Sequence, residues 1–266
     1  MTITSAMIQD AFGMYFWPFV RVAAMLMLAP VFSASMVAPT VRILAAITLT
    51  LVIAPLLPVP TGVDPLSLRG AIVTIQQLLI GVAMGFALQM VFDALIIAGQ
   101  AMAMSMGLGF AVAIDPQRGV NVPVVSQYFV MLATLVFLSL NGHLMIVQVM
   151  VDSFDVLPVG GSGLQREGAW QLVSWGSAMF EGALRIALPA MVALLIVNLS
   201  FGVISRSAPA LNLFAVGFPI TMTLGFLIML VTLPGIVETF VVLLNSAFQN
   251  AADILGTSPR PASAVP

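Results

Sequence analysis

The sequence predicts an all-α membrane protein of about six long, tilted or broken hydrophobic helices, with a C-terminal helical hairpin and a central glycine-rich loop. Three observations predict that class. Of 266 residues, 61% are hydrophobic and only 7% charged, whereas a soluble domain carries about 25% charged residues. The mean hydropathy is +1.15. The apolar residues fall into six runs, each approaching or exceeding the roughly 20 residues that span a hydrocarbon core about 30 Å thick.

The first run, residues 12–34, holds a single charge, Arg21. Asp10 precedes it and no basic region leads it, so no cleavable leader is expected. The second run, residues 41–57, closes on the turn-forming Pro58-Val59-Pro60-Thr61-Gly62. The third, residues 71–104, is overlong: as one helix it extends on the order of 50 Å. It contains Gly81-Val82-Ala83-Met84-Gly85, a small-residue spacing that lets helices approach closely. It also contains Asp93. An ionised side chain at a helix centre costs about 2.5–3.5 kcal/mol on insertion scales. Neighbours such as Leu88, Phe92 and Ile96 offset that cost, and Asp93 is expected to face protein or water rather than lipid.

The segment that follows cannot be one regular helix. Gly107, Gly109 and Gly119 loosen its backbone, while Pro116 and Pro123 each remove a donor and disfavour α geometry one residue earlier. Irregular apolar backbone is tolerated at membrane depth only where protein covers it or where it lines a cavity. Residues 105–122 are therefore expected to fold into the protein as a loop, with Leu108 and Phe110 pointing inward. Met102 and Met106 share a helical face and Met104 lies opposite. Their flexible thioethers suit a seal beside the loop.

The fourth run, residues 124–151, is interrupted at Leu140-Asn141-Gly142-His143-Leu144. This reads as a hydrogen-bonded polar notch where the helix bends or meets the interface. Residues 158–163 form another turn region. The last two runs, 172–204 and 213–248, are again long and are joined by a short connection, so they are expected to form an antiparallel hairpin. Glu181 and Arg185 stand i, i+4 with the acid first, the favourable order for an intrahelical pair. Local neutralisation and an intersubunit contact are both open for them. Glu238 is the remaining charge in the last run. Residues 251–266, rich in Pro, Ser and Ala at their end, are expected to be a disordered tail.

Composition excludes several chemistries. There is no cysteine, hence no disulfide, thiolate metal site or cysteine nucleophile. All eight basic residues are arginine, which removes a P-loop lysine and Schiff-base chemistry. His143 is the sole histidine and has no nearby partner for a metal. No catalytic residue, cofactor or metal is expected. A net charge of −2 gives no reason to expect nucleic acid. Arg42, Arg118 and Arg206 lie in connections on one side and Arg69, Arg166 and Arg260 on the other, so charge does not orient the chain.

Met106-Gly107-Leu108-Gly109-Phe110, then Asp115-Pro116-Gln117, Val122-Pro123-Val124, Leu140-Asn141-Gly142-His143-Leu144 and Leu157-Pro158-Val159-Gly160 together resemble the FliR family, core subunits of the flagellar type III export gate. The virulence secretion systems carry a paralogous subunit. The likeness runs through the whole chain in order. Residues 180–189, the long run after them and Gly217-Phe218-Pro219-Ile220 are further similar to the two-helix gate subunit FliQ.

The resemblance implies a FliP-like part over residues 1–170, including a plug loop at 106–122, and a FliQ-like hairpin over 171–250. It implies a non-enzymatic multi-pass protein of the bacterial inner membrane and flagellar basal body, displaced toward the periplasm once assembled. FliP, FliQ, FlhB and FlhA are the implied partners beside membrane lipid, and unfolded export substrates the implied cargo. It assigns plugging and gating to Met106, Gly107, Leu108, Gly109, Phe110, Asp115 and Pro116; the residues themselves make Met102 and Met104 the candidate seal. Arg21, Asp93, Asn141, His143, Glu181, Arg185 and Glu238 remain candidate buried polar or intersubunit residues. The alternatives are a virulence-type gate subunit and a polytopic secondary transporter. A transporter predicts an inverted repeat, and the closing hairpin has no counterpart in the first half.

Overall fold

The computed structural model describes residues 5–34, 37–57, 63–65, 67–108, 124–207 and 213–255. Among them all regular structure is helical. The helices are α1 (Ser5–Leu28), α2 (Pro39–Ile53, continued by a 3₁₀ turn, Ala54–Leu56), α3 (Leu68–Ser105), α4 (Val124–Ser139), α5 (Gly142–Val156), α6 (Arg166–Ser207) and α7 (Leu213–Leu255). Four are long and apolar enough to cross a membrane, or five if the bent pair α4–α5 counts as one span. The all-α membrane class is what the composition requires.

Three details differ from the expectation. The fourth run is two helices bent by 68°, because Asn141 adopts φ 56 and so leaves helical geometry. The bend matches the expected notch, but its hydrogen bonding is incomplete: His143 Nδ1 is buried without a partner among the described residues. The junction expected after residue 170 lies inside α6, which runs unbroken from Arg166. Finally, α7 continues to Leu255, so residues 251–255 are helix rather than tail; residues 256–266 lie outside the described residues.

Contacts divide the chain into two compact units. The first draws on Met1–Met90, Asn141–Gly176 and Asn245–Pro266, the second on Val91–Leu140 and Ser177–Leu244. In the first unit α1 packs on the early part of α3 at unusually short range. A Cβ placed on Gly85 would lie 2.7 Å from the Met25 carbonyl oxygen, and one on Gly81 would lie 2.8 Å from Ala24 Cβ. The small-residue spacing therefore serves contact within the chain. Trp17, Met25 and Leu26 of α1 and Ile80, Met84 and Leu88 of α3 are fully buried. Trp17 Nε1 donates to Thr74 Oγ1 at 3.2 Å, giving the indole its polar partner inside an apolar surround.

In the second unit Phe92 meets Phe137 of α4 and Phe240 of α7 edge-on, with centroids 5.8 and 5.5 Å apart. Gly99 lets α4 touch α3: a Cβ there would lie 2.6 Å from Ser126 Cα. Ser126 Oγ donates to the Ile96 carbonyl at 3.0 Å. Gly182 of α6 lies against Leu243 of α7.

Glycines in contact and glycines in open space should respond oppositely. Gly85→Val forces a side chain into Met25 backbone, which cannot move aside; about 3 kcal/mol or more of stability should be lost. A methyl group added at Gly176, in α6, would have nothing within 4 Å; Gly176→Ala should gain roughly 0.5–1 kcal/mol by helix propensity. Thermal or denaturant unfolding of the full chain in detergent checks both signs.

Candidate functional site

The end of α3 is built as a defined helix stop. The Leu108 amide donates to the Ala103 carbonyl and the Gly107 amide to the Met104 carbonyl, both at 3.0 Å. With Gly107 at φ 84, this is the paired-bond pattern of a Schellman cap. A side chain at Gly107 would be strained, and its Cβ would come within 3.2 Å of the Phe218 ring on α7. The sequence suggests that Gly107 softens a loop; it instead fixes a helix terminus, because the left-handed turn lets two orphan carbonyls find donors. Met106 is buried beneath it, against Gly225 of α7, where an added Cβ would lie 2.5 Å from Met106 Cγ.

The described part of the segment is thus rooted on several sides. Ser105 Oγ donates to the Ala101 carbonyl at 2.9 Å, and Asn198 Nδ2 of α6 approaches the Ser105 carbonyl at 3.4 Å. The far stem starts α4 at Val124 and is held two residues later by Ser126 beside Gly99. Met102 is fully buried, while Met104 is 66% exposed; the two sides of the helix expected from their spacing are both present. Leu108 is half-buried. Gly109, Phe110, Asp115 and Pro116 lie outside the described residues.

The other candidates fall in separate places. Arg21 is completely buried in the first unit. Its Nε donates to Gln77 Oε1 at 2.8 Å, Nη1 to the Ser153 carbonyl at 2.8 Å and to Ser153 Oγ at 3.1 Å, and Nη2 to the Leu157 carbonyl at 2.6 Å. Its guanidinium carbon sits 4.0 Å above the Phe154 ring. Asn141 is exposed, His143 and Asp93 half-buried, and Glu238 exposed. Glu181 and Arg185 pair at 2.6 Å with side chains 62% and 69% exposed. Among the described residues no three or more His, Asp or Glu side chains gather as for a metal ion. Gln77 and Gly225 escape the sequence reading, which gives Ser153 and Phe218 no contact. Nothing local marks these contacts, since each residue acts on one from a distant helix.

The whole chain can be placed beside known proteins by its sequence. The model of the bacterial export proteins, family 1, matches residues 12–247. The chain belongs to that family. It is 38% identical to the flagellar biosynthetic protein FliR of Escherichia coli (strain K12), over 97% of this chain and 99% of that one. It is 39% identical to FliR of Pectobacterium carotovorum subsp. carotovorum, over 91% and 92%, and 27% identical to FliR of Bacillus subtilis (strain 168), over 90% and 92%. A bacterial export protein with helices of this length and apolarity is a membrane-embedded flagellar component, as the resemblance implied.

Gly107→Ala tests the helix stop. It combines left-handed strain of roughly 1–2 kcal/mol with crowding by Phe218, and the unfolding transition should move accordingly. Met104→Ala, on the open side of the same turn, should leave the transition where it is.

Proposed function

We propose that the chain is a gate-forming subunit of the flagellar type III export apparatus. It assembles with FliP and FliQ in the bacterial inner membrane and closes their shared channel with the segment between α3 and α4. FlhB and FlhA are further partners, and the cargo is unfolded flagellar protein. The chain supplies a conduit and a stopper, not a bond-making step. Flagellar names among the relatives at 38–39% identity favour this over a virulence system.

The exposed side of α6 carries the reading. Trp170, Val173, Phe180, Leu188, Leu199 and Ile204 are all outward-facing and apolar. They cover a stretch of about 50 Å at 1.5 Å per residue. A hydrocarbon core of about 30 Å would hold that stretch only at a tilt of roughly 55°, beyond the 0–40° usual for spanning helices. At a smaller tilt the ends of the stretch pass beyond the hydrocarbon core, and packing against other subunits would cover them. Only 22% of the most apolar stretch of α6 and 17% of that of α7 is buried within the chain, against 67% for α3. Glu181, Arg185 and Glu238 open outward from these helices, where a polar neighbour suits them better than lipid.

Three measurements test the reading. The chain should co-purify with FliP and FliQ as a stable complex; a monodisperse lone chain wholly covered by lipid would remove the assembly claim. Deleting residues 109–114, which spares the Gly107 cap, should leave that complex intact and make the membrane leaky to ions. A tight membrane around an intact complex would remove the plug. Exchanging the charges, Glu181→Arg with Arg185→Glu, keeps a pair worth only about 0.2–1 kcal/mol at an exposed site. Unfolding of the isolated chain should therefore not change, while complex yield should fall several-fold if a partner reads the charges. Unchanged yield would assign the pair to local neutralisation.

A further inference from the structure

Arg21 is a buried cation that no carboxylate accompanies among the described residues: its partners there are an amide oxygen, a hydroxyl, two backbone carbonyls and an aromatic face. The two carbonyls, Ser153 and Leu157, belong to the last turn of α5 and the residue that caps it. The Ser153 carbonyl already accepts from the Leu157 amide at 3.0 Å and offers Arg21 its second lone pair, whereas the Leu157 carbonyl is one that the helix leaves without a partner at its C-terminus; that end carries the negative pole of the helix dipole. We infer that Arg21 is the C-terminal cap of α5 supplied in trans by α1, and that this cap is what latches α1 into the first unit.

Two further features support a latch. Helix α1 holds both Pro18 and Arg21 within its apolar run, and a cation at that position makes settling in a bilayer alone costly. The close approach at Gly81 and Gly85 brings α1 backbone to α3 backbone, yet glycine surfaces offer little apolar area to hold a helix. The guanidinium adds a directional hold: Nε fixes α1 to Gln77 of α3 while Nη1 and Nη2 fix it to α5.

The sequence separation gives the latch an order. The carbonyls that accept from Arg21 lie 132 and 136 residues downstream. Although α1 is synthesised first and Gln77 soon after it, Nη1 and Nη2 have no carbonyl acceptors until the chain has been made through Leu157. Full docking of α1 therefore waits for α5, and α5 cannot move away from α1 without leaving Nη1 and Nη2 of a buried cation unpaired.

The test uses the full chain in lipid vesicles and its three tryptophans. Trp17 is fully buried and sits one helical turn from Arg21. Trp175 is buried in the same unit, its Nε1 donating to the Ala87 carbonyl at 3.1 Å. Chains keeping only Trp17, or only Trp175, are reconstituted with bromine-labelled phospholipid, and quenching by lipid bromine and by aqueous acrylamide is measured. The denatured chain sets the ceiling for each tryptophan. The parent should show both tryptophans shielded. Arg21→Met, similar in length and apolar, should raise Trp17 quenching by at least threefold and leave Trp175 shielded. Arg21→Lys should fall between, since one ammonium cannot reach Gln77 and both carbonyls together. Trp17 remaining shielded in Arg21→Met would overturn the proposal, with apolar packing then holding α1. Exposure of both tryptophans together would also overturn it, since Arg21 would then support the whole unit rather than dock one helix.

Discussion

Helix α3 sets the distance at which its neighbours can stand, and it does so by leaving side chains out. Gly81 and Gly85 admit the α1 backbone in one unit, and Gly99 admits α4 in the other. At each place an added Cβ would meet main-chain atoms, which cannot rotate aside as a side chain can. In a chain this apolar, burial alone selects no particular arrangement, because lipid tails attract a leucine as well as another leucine does. Close backbone contact does select one. It brings many atoms within dispersion range and is lost on small displacement. The glycines of α3 thus do the selecting that hydrophobicity does in water.

Polar groups are handled by the same economy. With little water or charge to call on, the few polar side chains turn to helix carbonyls. Thr50, Thr74, Ser105, Thr134 and Ser200 donate to the carbonyl four residues back, a local bond that satisfies the hydroxyl without a tertiary partner. Ser126, Trp175 and Arg21 do so between helices, donating to Ile96, Ala87, and Ser153 with Leu157. A carbonyl already in a helix ladder keeps a second lone pair. An apolar bundle therefore contains many acceptors that its hydropathy does not reveal. Arg21 takes one of each kind, the Ser153 carbonyl already in the ladder and the Leu157 carbonyl at the helix end.

Local periodicity carried much of this structure. The spacing of Glu181 and Arg185 foretold their contact, and the spacing of Met102, Met104 and Met106 foretold which sides of α3 they occupy. Asn141 and Gly142 marked the break between α4 and α5, since asparagine tolerates the left-handed region. What stayed hidden depends on distance along the chain or on an ambiguous residue. Arg21 could be recognised as buried, but its acceptors are more than a hundred residues away and two are backbone atoms, which have no identity in a sequence. Gly107 is the ambiguous case. A glycine after a helix reads equally as a loosened hinge or as a left-handed cap, and only the bonds from Leu108 and Gly107 back into α3 decide. Phe218 and Gly225 close the matter from α7, more than a hundred residues along the chain.

That decision changes where movement is possible. A hinge at Gly107 would let the end of α3 unwind as the segment beyond it opened, dragging Met106 out from under Gly225. A cap does the reverse. Its two hydrogen bonds, the buried Met106 and the Phe218 ring hold the terminus through Leu108. The opposite stem is held as firmly, by Ser126 at Gly99. On the proposed reading, in which the segment between α3 and α4 closes a channel, stems held in this way let that segment move without disturbing the helices that carry it. The glycine at position 107 suits such a role by being rigidly placed rather than free.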